Sequence, residues 1–307
     1  MISSIFGKTK PINFVFIVGY LFVFFILSVF NTLDTPITFS IMTYHGISWV
    51  ILIVSIFIID FIVKKNHLSK NNSYIILVFA LLLTLSPESF FDRQIILSNG
   101  FLLLAIRRII SLRSYVATKR KIFDATLWVI IASLFYEPAI LGLLWVFVGL
   151  IVYVGKDVKN WFIPLLVVGM VLIFGYTYAI LKSDITIFKE IISIDLSYIP
   201  KEFYQSINTF SFWIVGGIGI ISLLSFFIQI KAKTSEARTA IALIIGLLFT
   251  TLAMNVALPE YNKAAWLFVA FPLALLIANY IETRSKKWVE EITLWLFLVA
   301  PFVELML

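Results

Sequence analysis

Eleven long apolar stretches run the length of this 307-residue chain, and short polar gaps separate them. A helix needs roughly 20 apolar residues to cross the hydrocarbon core of a bilayer. The stretches therefore predict an all-α fold, a polytopic transmembrane bundle of about 11 spans that forms a single domain over residues 1–307. The predicted spans are 12–30, 47–63, 73–90, 95–111, 122–136, 138–154, 161–181, 208–230, 239–258, 264–281 and 289–306.

The composition supports a membrane protein and argues against a soluble one. Hydrophobic residues make up 61% of the chain and charged residues 13%, whereas a soluble domain carries about 25% charged residues. In a soluble protein, a net charge of +7 would suggest binding to nucleic acid. No basic stretch here alternates with aromatic residues as a nucleic-acid groove requires. We therefore predict membrane lipids as partners and no nucleic acid.

The basic residues also predict the orientation of the chain. Along the sequence the gaps alternate between Lys/Arg-rich and Asp/Glu-rich. This alternation places 19 of the 24 Lys and Arg residues on one side of the predicted membrane. The other five are Arg93, Lys182, Lys189, Lys201 and Lys263. Because cytoplasmic loops are enriched in Lys and Arg, we predict a cytoplasmic amino terminus and an external carboxyl terminus. The apolar run at 12–30 is too long for a signal peptide and is predicted to stay as the first span.

Two segments depart from simple membrane crossing. Spans five and six are short and meet at Tyr136-Glu137-Pro138, which predicts either a tight hairpin or a pair of tilted, re-entrant helices. The long external segment 182–207 carries apolar residues at helical spacing among charges over 185–199. That pattern predicts an amphipathic helix in the outer interface.

The chemistry available to the chain is limited by its residue types. It contains no cysteine and only two histidines, which excludes thiolate sites, iron–sulfur clusters and a histidine-based zinc site. No sequence motif identifies a cofactor. A bound metal would have to be a hard divalent cation such as Mg²⁺, held by oxygen atoms. The middle of every span lacks charged residues, which disfavours ion-coupled transport. Asn99, Asn255 and Asn279 are predicted to join helices, and Asp60 to pair with Lys64 one turn later.

The external gaps are where the sequence favours catalysis, because ten of the 17 acidic residues gather there. Glu88 and Asp92 flank a tight turn four residues apart, which places both carboxylates on one face of a helical turn. The predicted catalytic residues are Glu88, Asp92, Glu137 and Asp34, and the predicted substrate-binding residues are Arg93, Glu260 and Lys263. One carboxylate would serve as general base and others would bind a divalent cation. The alternative is a solvated rim of helix-capping acids, with His45 an interfacial residue rather than a ligand.

Residues 86–113, 119–125 and 134–138 resemble an uncharacterised family of bacterial integral membrane proteins. The layout is also similar to that of lipid-linked-sugar glycosyltransferases of the C superfamily and of polysaccharide polymerases. That resemblance implies a bacterial inner membrane protein of the cell envelope. It also implies that Asp34 is the first-turn acid and that 185–199 is the interfacial helix. The chain departs from the superfamily because it has no Asp-x-Asp or Glu-x-Asp after the first span and no soluble external domain.

Two functions are compatible with these sequence features. The first is transfer of a sugar from a polyprenyl-phosphate donor at the external leaflet, with a carboxylate as base and Arg93 or Lys263 on the donor phosphate. The second is a non-catalytic membrane subunit, or a protein that handles lipid or polysaccharide. The two differ in whether the external acids converge on one cavity or lie separately at the surface.

Overall fold

The structure is a computed structural model that describes residues 2–32, 39–155, 157–183, 210–229, 235–256, 262–284 and 287–306. Over these residues the chain is helical and contains no strand. The α-helices are α1 (Ile2–Phe6), α2 (Pro11–Thr32), α3 (Phe39–Lys65), α4 (Tyr74–Thr84), α5 (Arg93–Ile110), α6 (Thr118–Phe135), α7 (Gly142–Val154), α8 (Phe162–Leu181), α9 (Phe210–Gln229), α10 (Ser235–Val256), α11 (Trp266–Glu282) and α12 (Lys287–Met306). The all-α prediction is confirmed.

Each of the eleven predicted spans coincides with one of the helices α2 to α12, but the span count is not confirmed. Among the described residues, seven helical segments are long and apolar enough to cross a membrane. They are Pro11–Val29, Thr43–Lys65, Arg93–Ser114, Glu137–Val154, Val158–Leu181, Arg238–Val256 and Lys263–Glu282. Large apolar side chains on these helices are exposed, among them Leu166 at 69% and Ile173 at 68%. Such surfaces suit lipid, and the chain is an integral membrane protein.

Two of the remaining helices do not have the length or the uninterrupted apolar sequence expected of a span. Helix α4 has only 11 residues, or about 16 Å at 1.5 Å per residue. It ends because Pro87 disfavours helical backbone at Ser86, which is non-helical at φ −131° and ψ 81°. Helix α6 has 18 residues, but its first two turns carry Lys119, Arg120, Lys121 and Asp124.

The helices fall into two compact units, and the first comprises Met1–Ile96, Lys201–Ile241 and Asn262–Leu307. Its centre is the pair α4 and α11, around which α2, α3, α9 and α12 pack. Every residue of α4 is buried, and so are 14 residues of α11. A helix that is apolar on all sides can lie in the interior of a bundle or against lipid, and α4 lies in the interior.

The amino-terminal helix α1 is fastened to this first unit by a buried carboxylate. Glu291 of α12 is 8% exposed and accepts hydrogen bonds from the backbone N–H of Ile2 (3.2 Å) and of Ser3 (2.9 Å). It also accepts one from the Ser3 hydroxyl at 2.7 Å. Tyr74 donates to the Ser3 carbonyl at 3.0 Å. These bonds satisfy backbone N–H groups at the start of α1 that would otherwise lack partners.

The second unit comprises Leu97–Pro200 and Ala242–Tyr261. Polar side chains join its helices through backbone carbonyls, because Trp145 donates to Leu243 O at 2.7 Å and Ser98 donates to Ala132 O at 2.9 Å. Gly149 of α7 lies so close to Ile109 that an added Cβ would come within 2.4 Å of its Cγ2. Small residues allow this approach of helices in membrane proteins.

Two local predictions are confirmed. Lys64 pairs with Asp60 at 2.6 Å. Asn279 joins α11 to the loop before α4, since its side-chain amide donates to Leu68 O at 3.3 Å. The predicted interfacial helix at 185–199 lies outside the described residues and stays a prediction.

Candidate functional site

Two tight turns pack together at one end of the first unit. The first runs from Ser86 to Arg93 and contains a 3₁₀ helix at Pro87–Phe90; the second is a 3₁₀ helix at Lys263–Ala265. Two serines join them, because Ser86 donates to Lys263 O at 3.0 Å and Ser89 donates to Ala264 O at 3.3 Å. We call this arrangement the paired turns. It brings together four of the predicted site residues, Glu88, Asp92, Arg93 and Lys263.

Glu88 and Lys263 form an ion pair across the paired turns. Their charged atoms are 3.6 Å apart, and their side chains are 42% and 55% exposed. An exposed pair of this kind contributes about 0–1 kcal/mol. Lys263 therefore has an acidic partner already, which reduces its suitability as a phosphate ligand.

Asp92 is used by the fold through both of its carboxylate oxygens. Oδ1 accepts from the backbone N–H of Ile95 at 3.0 Å, which caps the start of α5. Oδ2 accepts from the side-chain amide of Asn262 at 2.8 Å. Asn262 in turn caps the second turn, because its Oδ1 accepts from the backbone N–H of Ala264 at 2.9 Å. The arrangement makes Asp92 a bridge between two caps rather than a free base.

Arg93 lies against the start of α3 instead of against the neighbouring acids. Its guanidinium carbon is 3.7 Å from the centre of the Tyr44 ring, and Nη2 donates to the Tyr44 carbonyl at 3.0 Å. Its buried Nε has no hydrogen-bond partner. Across the described residues no carboxylate is paired with Arg93. The positive charge is thus positioned by an aromatic face and a carbonyl and remains available to an anion.

His45 completes the aromatic surroundings of Arg93. Its ring meets Tyr44 at 5.2 Å and Phe91 at 5.0 Å between centroids, both edge-on. The His45 Nδ1 atom is buried and has no hydrogen-bond partner. We call Tyr44, His45, Phe91 and Arg93 the aromatic cation site. It presents one cation and an imidazole among rings that suit the lipid–water interface.

Of the other predicted site residues, the structure describes only Glu137. Glu137 is exposed at the start of a 3₁₀ turn, Glu137–Leu141, in the second unit. Asp34 and Glu260 lie outside the described residues. Among the residues that the structure describes, no group of three or more His, Asp or Glu is arranged to hold a metal ion. A shared cavity for Glu88 and Glu137 stays a prediction.

Sequence reasoning missed the partners that give these residues their roles. Tyr44 is 49 residues from Arg93, and Asn262 is 170 residues from Asp92. The role of Asn262 as a cap could have been predicted locally, because Asn is a favoured residue at the start of a helix. The contact of Tyr44 with Arg93 could not have been predicted from sequence, since tyrosines at the interface are common in membrane helices.

Comparison with known proteins identifies a family but no function. No curated protein and no solved structure matches the chain. A family model of unknown function, DUF6427, matches residues 5–303. The match covers nearly all of both units, and the chain therefore belongs to the family of unknown function DUF6427.

Proposed function

We propose that this chain is a non-catalytic membrane protein that binds a phosphate-bearing lipid at the aromatic cation site. One observation carries the proposal: among the described residues, Arg93 has no carboxylate partner, yet its guanidinium is held by the Tyr44 ring and carbonyl. A guanidinium placed in this way can bind a phosphate with two hydrogen bonds. The surrounding rings suit the first carbons of a lipid chain.

The acids near this site support a non-catalytic role. A general base needs a carboxylate oxygen positioned within hydrogen-bond reach of the acceptor hydroxyl. Both oxygens of Asp92 accept hydrogen bonds within the fold, and Glu88 is paired with Lys263. The same contacts explain these residues as parts of a turn, without any reaction.

The lipid class is proposed from the resemblance in layout between this sequence and glycosyltransferases that use lipid-linked sugars. That likeness points to a polyprenyl phosphate, at the external leaflet of a bacterial inner membrane. Sugar transfer from such a lipid is the enzymatic alternative. One observation favours it: Glu137 is exposed and has no hydrogen bond or ion pair within the described part of the chain.

The proposal is tested by lipid binding to the purified full chain in detergent, measured by native mass spectrometry. Arg93→Gln should weaken binding of a polyprenyl monophosphate roughly tenfold, because a charge-assisted hydrogen bond contributes about 1.5–3 kcal/mol. Binding of the corresponding polyprenol, which lacks the phosphate, should not change. The matched control is Arg238→Gln, which removes an exposed arginine of α10 from the same unit.

Equal affinity of the Arg93 and Arg238 variants for the monophosphate would overturn the proposal. So would equal binding of the monophosphate and the polyprenol by the unmodified protein.

A further inference from the structure

A polar niche lies between α9 and α11, at the end of the first unit opposite the paired turns. Its enclosed space is about 10 Å³, roughly enough for one water molecule, so a larger group would contact the niche from its open side. Its polar lining consists of Ser222, Ser225, Asn279, Tyr280 and Thr283. Ser222, Asn279 and Thr283 donate to backbone carbonyls of their own helices, so a ligand would be attracted by a charged group beside them. We call this feature the α9–α11 niche.

Arg284 borders this niche and is held in place as Arg93 is at the other end. Its guanidinium carbon is 4.2 Å from the centre of the Tyr280 ring, and Nη2 donates to the Ser225 hydroxyl at 3.2 Å. Its Nε atom is buried and has no hydrogen-bond partner. Within the described residues no carboxylate pairs with Arg284. The niche therefore has one positive charge whose acceptor is only a hydroxyl.

Glu282 is the described carboxylate closest to Arg284 in the sequence, and it is already engaged. Glu282 ends α11, and its carboxylate accepts from the side-chain amide of Asn72 at 2.7 Å, from the backbone N–H of Lys70 at 3.2 Å and from the Ser69 hydroxyl. Its carbonyl accepts from the Lys70 ammonium at 3.0 Å. The remaining carbonyls at the end of α11 carry only partial negative charge, so the full positive charge of the Arg284 guanidinium outweighs them for an anion in close contact.

An apolar surface begins beside this niche. On α9, Leu224 and Phe227 are each 58% exposed and Ile228 is 81% exposed, whereas Ser225 and Phe226 face inward. A ligand that placed a phosphate at Arg284 would therefore find an apolar helix face for its chains. That combination of one cation, hydroxyl groups and an apolar face fits a phospholipid better than a soluble anion.

We propose that the α9–α11 niche binds the phosphate of an anionic phospholipid, with Arg284 as its charged ligand and the exposed face of α9 along its acyl chains. The site is separate from the aromatic cation site and does not depend on the function proposed above. By the predicted orientation it belongs to the cytoplasmic leaflet. Its role would be to recruit a particular lipid to this helix pair.

The test uses the full chain, delipidated in detergent and titrated with phosphatidylglycerol, phosphatidylcholine or inorganic phosphate. Unmodified protein should prefer phosphatidylglycerol. Arg284→Gln should weaken that binding about fivefold or more, since a basic residue near anionic lipid contributes about 1 kcal/mol. Arg284→Lys keeps the charge and should retain part of the affinity. Arg238→Gln is again the control, because it removes an exposed arginine outside the niche.

Three outcomes would overturn this inference. The first is equal binding of phosphatidylglycerol and phosphatidylcholine, and the second is unchanged binding in both Arg284 variants. The third is displacement of phosphatidylglycerol by millimolar inorganic phosphate, which would show that the ligand is free phosphate. If gel filtration shows that Arg284→Gln is unfolded, the Arg284→Lys variant still tests whether residue 284 contributes to phosphatidylglycerol binding. Loss of polyprenyl phosphate binding in Arg93→Gln with unchanged phosphatidylglycerol binding would show that the two sites are independent.

Discussion

Arg93 shows how a residue can be identified from sequence while its environment is not. Its position beside Glu88 and Asp92 indicated an acidic neighbourhood, and the turn does bring these residues together. The guanidinium nevertheless lies over Tyr44, because Asp92 is already used in capping α5 and in binding Asn262. Local spacing predicts which side chains share a turn. It does not predict which distant backbone and ring atoms compete for them.

The carboxylates provide a prediction that separates the two functions at this scale. Glu88→Gln and Glu137→Gln should both complement a deletion strain, because the proposed lipid site does not use either charge. Glu88→Gln should also change the free energy of unfolding by no more than about 1 kcal/mol, since it removes only an exposed ion pair. Complementation is measured by lipid and glycan profiling of the deletion strain carrying each variant.

The enzymatic alternative gives the opposite result for the same variants. Removal of a positioned acid or base lowers a rate by about 10²–10⁴. Loss of complementation by either variant, with normal expression and normal stability in detergent, would contradict the non-catalytic proposal and restore Glu88 or Glu137 as a catalytic residue.

At the scale of single helices, apolar runs predicted nearly every element and its approximate bounds. The physical reason is that backbone N–H and C=O groups in a bilayer need hydrogen-bond partners within their own element. A helix provides these partners. The runs did not predict that α4 stops after 11 residues, although Pro87 was visible in the sequence. They also did not predict close contacts between helices, since these depend on residues far apart in the chain.

Gly149 gives a prediction for one such contact. Gly149→Ala should lower the free energy of unfolding by about 1–3 kcal/mol, because the new methyl group would overlap Ile109. Gly169→Ala is the matched control: no atom lies within 4 Å of its built Cβ, and alanine in place of a helical glycine is favourable by roughly 0.5–1 kcal/mol. Unfolding in SDS measures both variants.

A double variant tests the stated cause. Ile109→Ala removes the Cγ2 atom that the new methyl group would meet, so Gly149→Ala should cost less in that background. The same cost with and without Ile109→Ala would show that the overlap is not responsible.

For the whole molecule, contacts within the first unit agree with the alternation of basic and acidic gaps. The loop at Ser69–Asn72 meets Glu282 at one end, while Ser86 and Ser89 meet Lys263 and Ala264 at the other. The alternation places each of these pairs of gaps on one side of the membrane. The division into two units had no sequence signal, because both units combine segments that are distant in the chain.

Orientation gives the prediction at this scale. Reporter fusions at Asn71, Asn160 and Ser285 should be cytoplasmic, and fusions at Ser197 and after Leu307 should be external. The reason is the uneven distribution of Lys and Arg between the two sets of gaps. A cytoplasmic carboxyl terminus would contradict the predicted topology and would point to a miscounted span in the region 122–154.

The hydrogen bonds between Glu291 and α1 have a consequence for the biogenesis of the protein. Ile2 and Ser3 are synthesised before the carboxylate that binds them, and 288 residues separate Ser3 from Glu291. Helix α1 therefore has no acceptor until those 288 residues have been synthesised. At a synthesis rate of about 5–20 residues per second, that delay is on the order of tens of seconds. Closure of the first unit is thus a late event in biogenesis, and a ribosome stalled before α12 would leave α1 undocked.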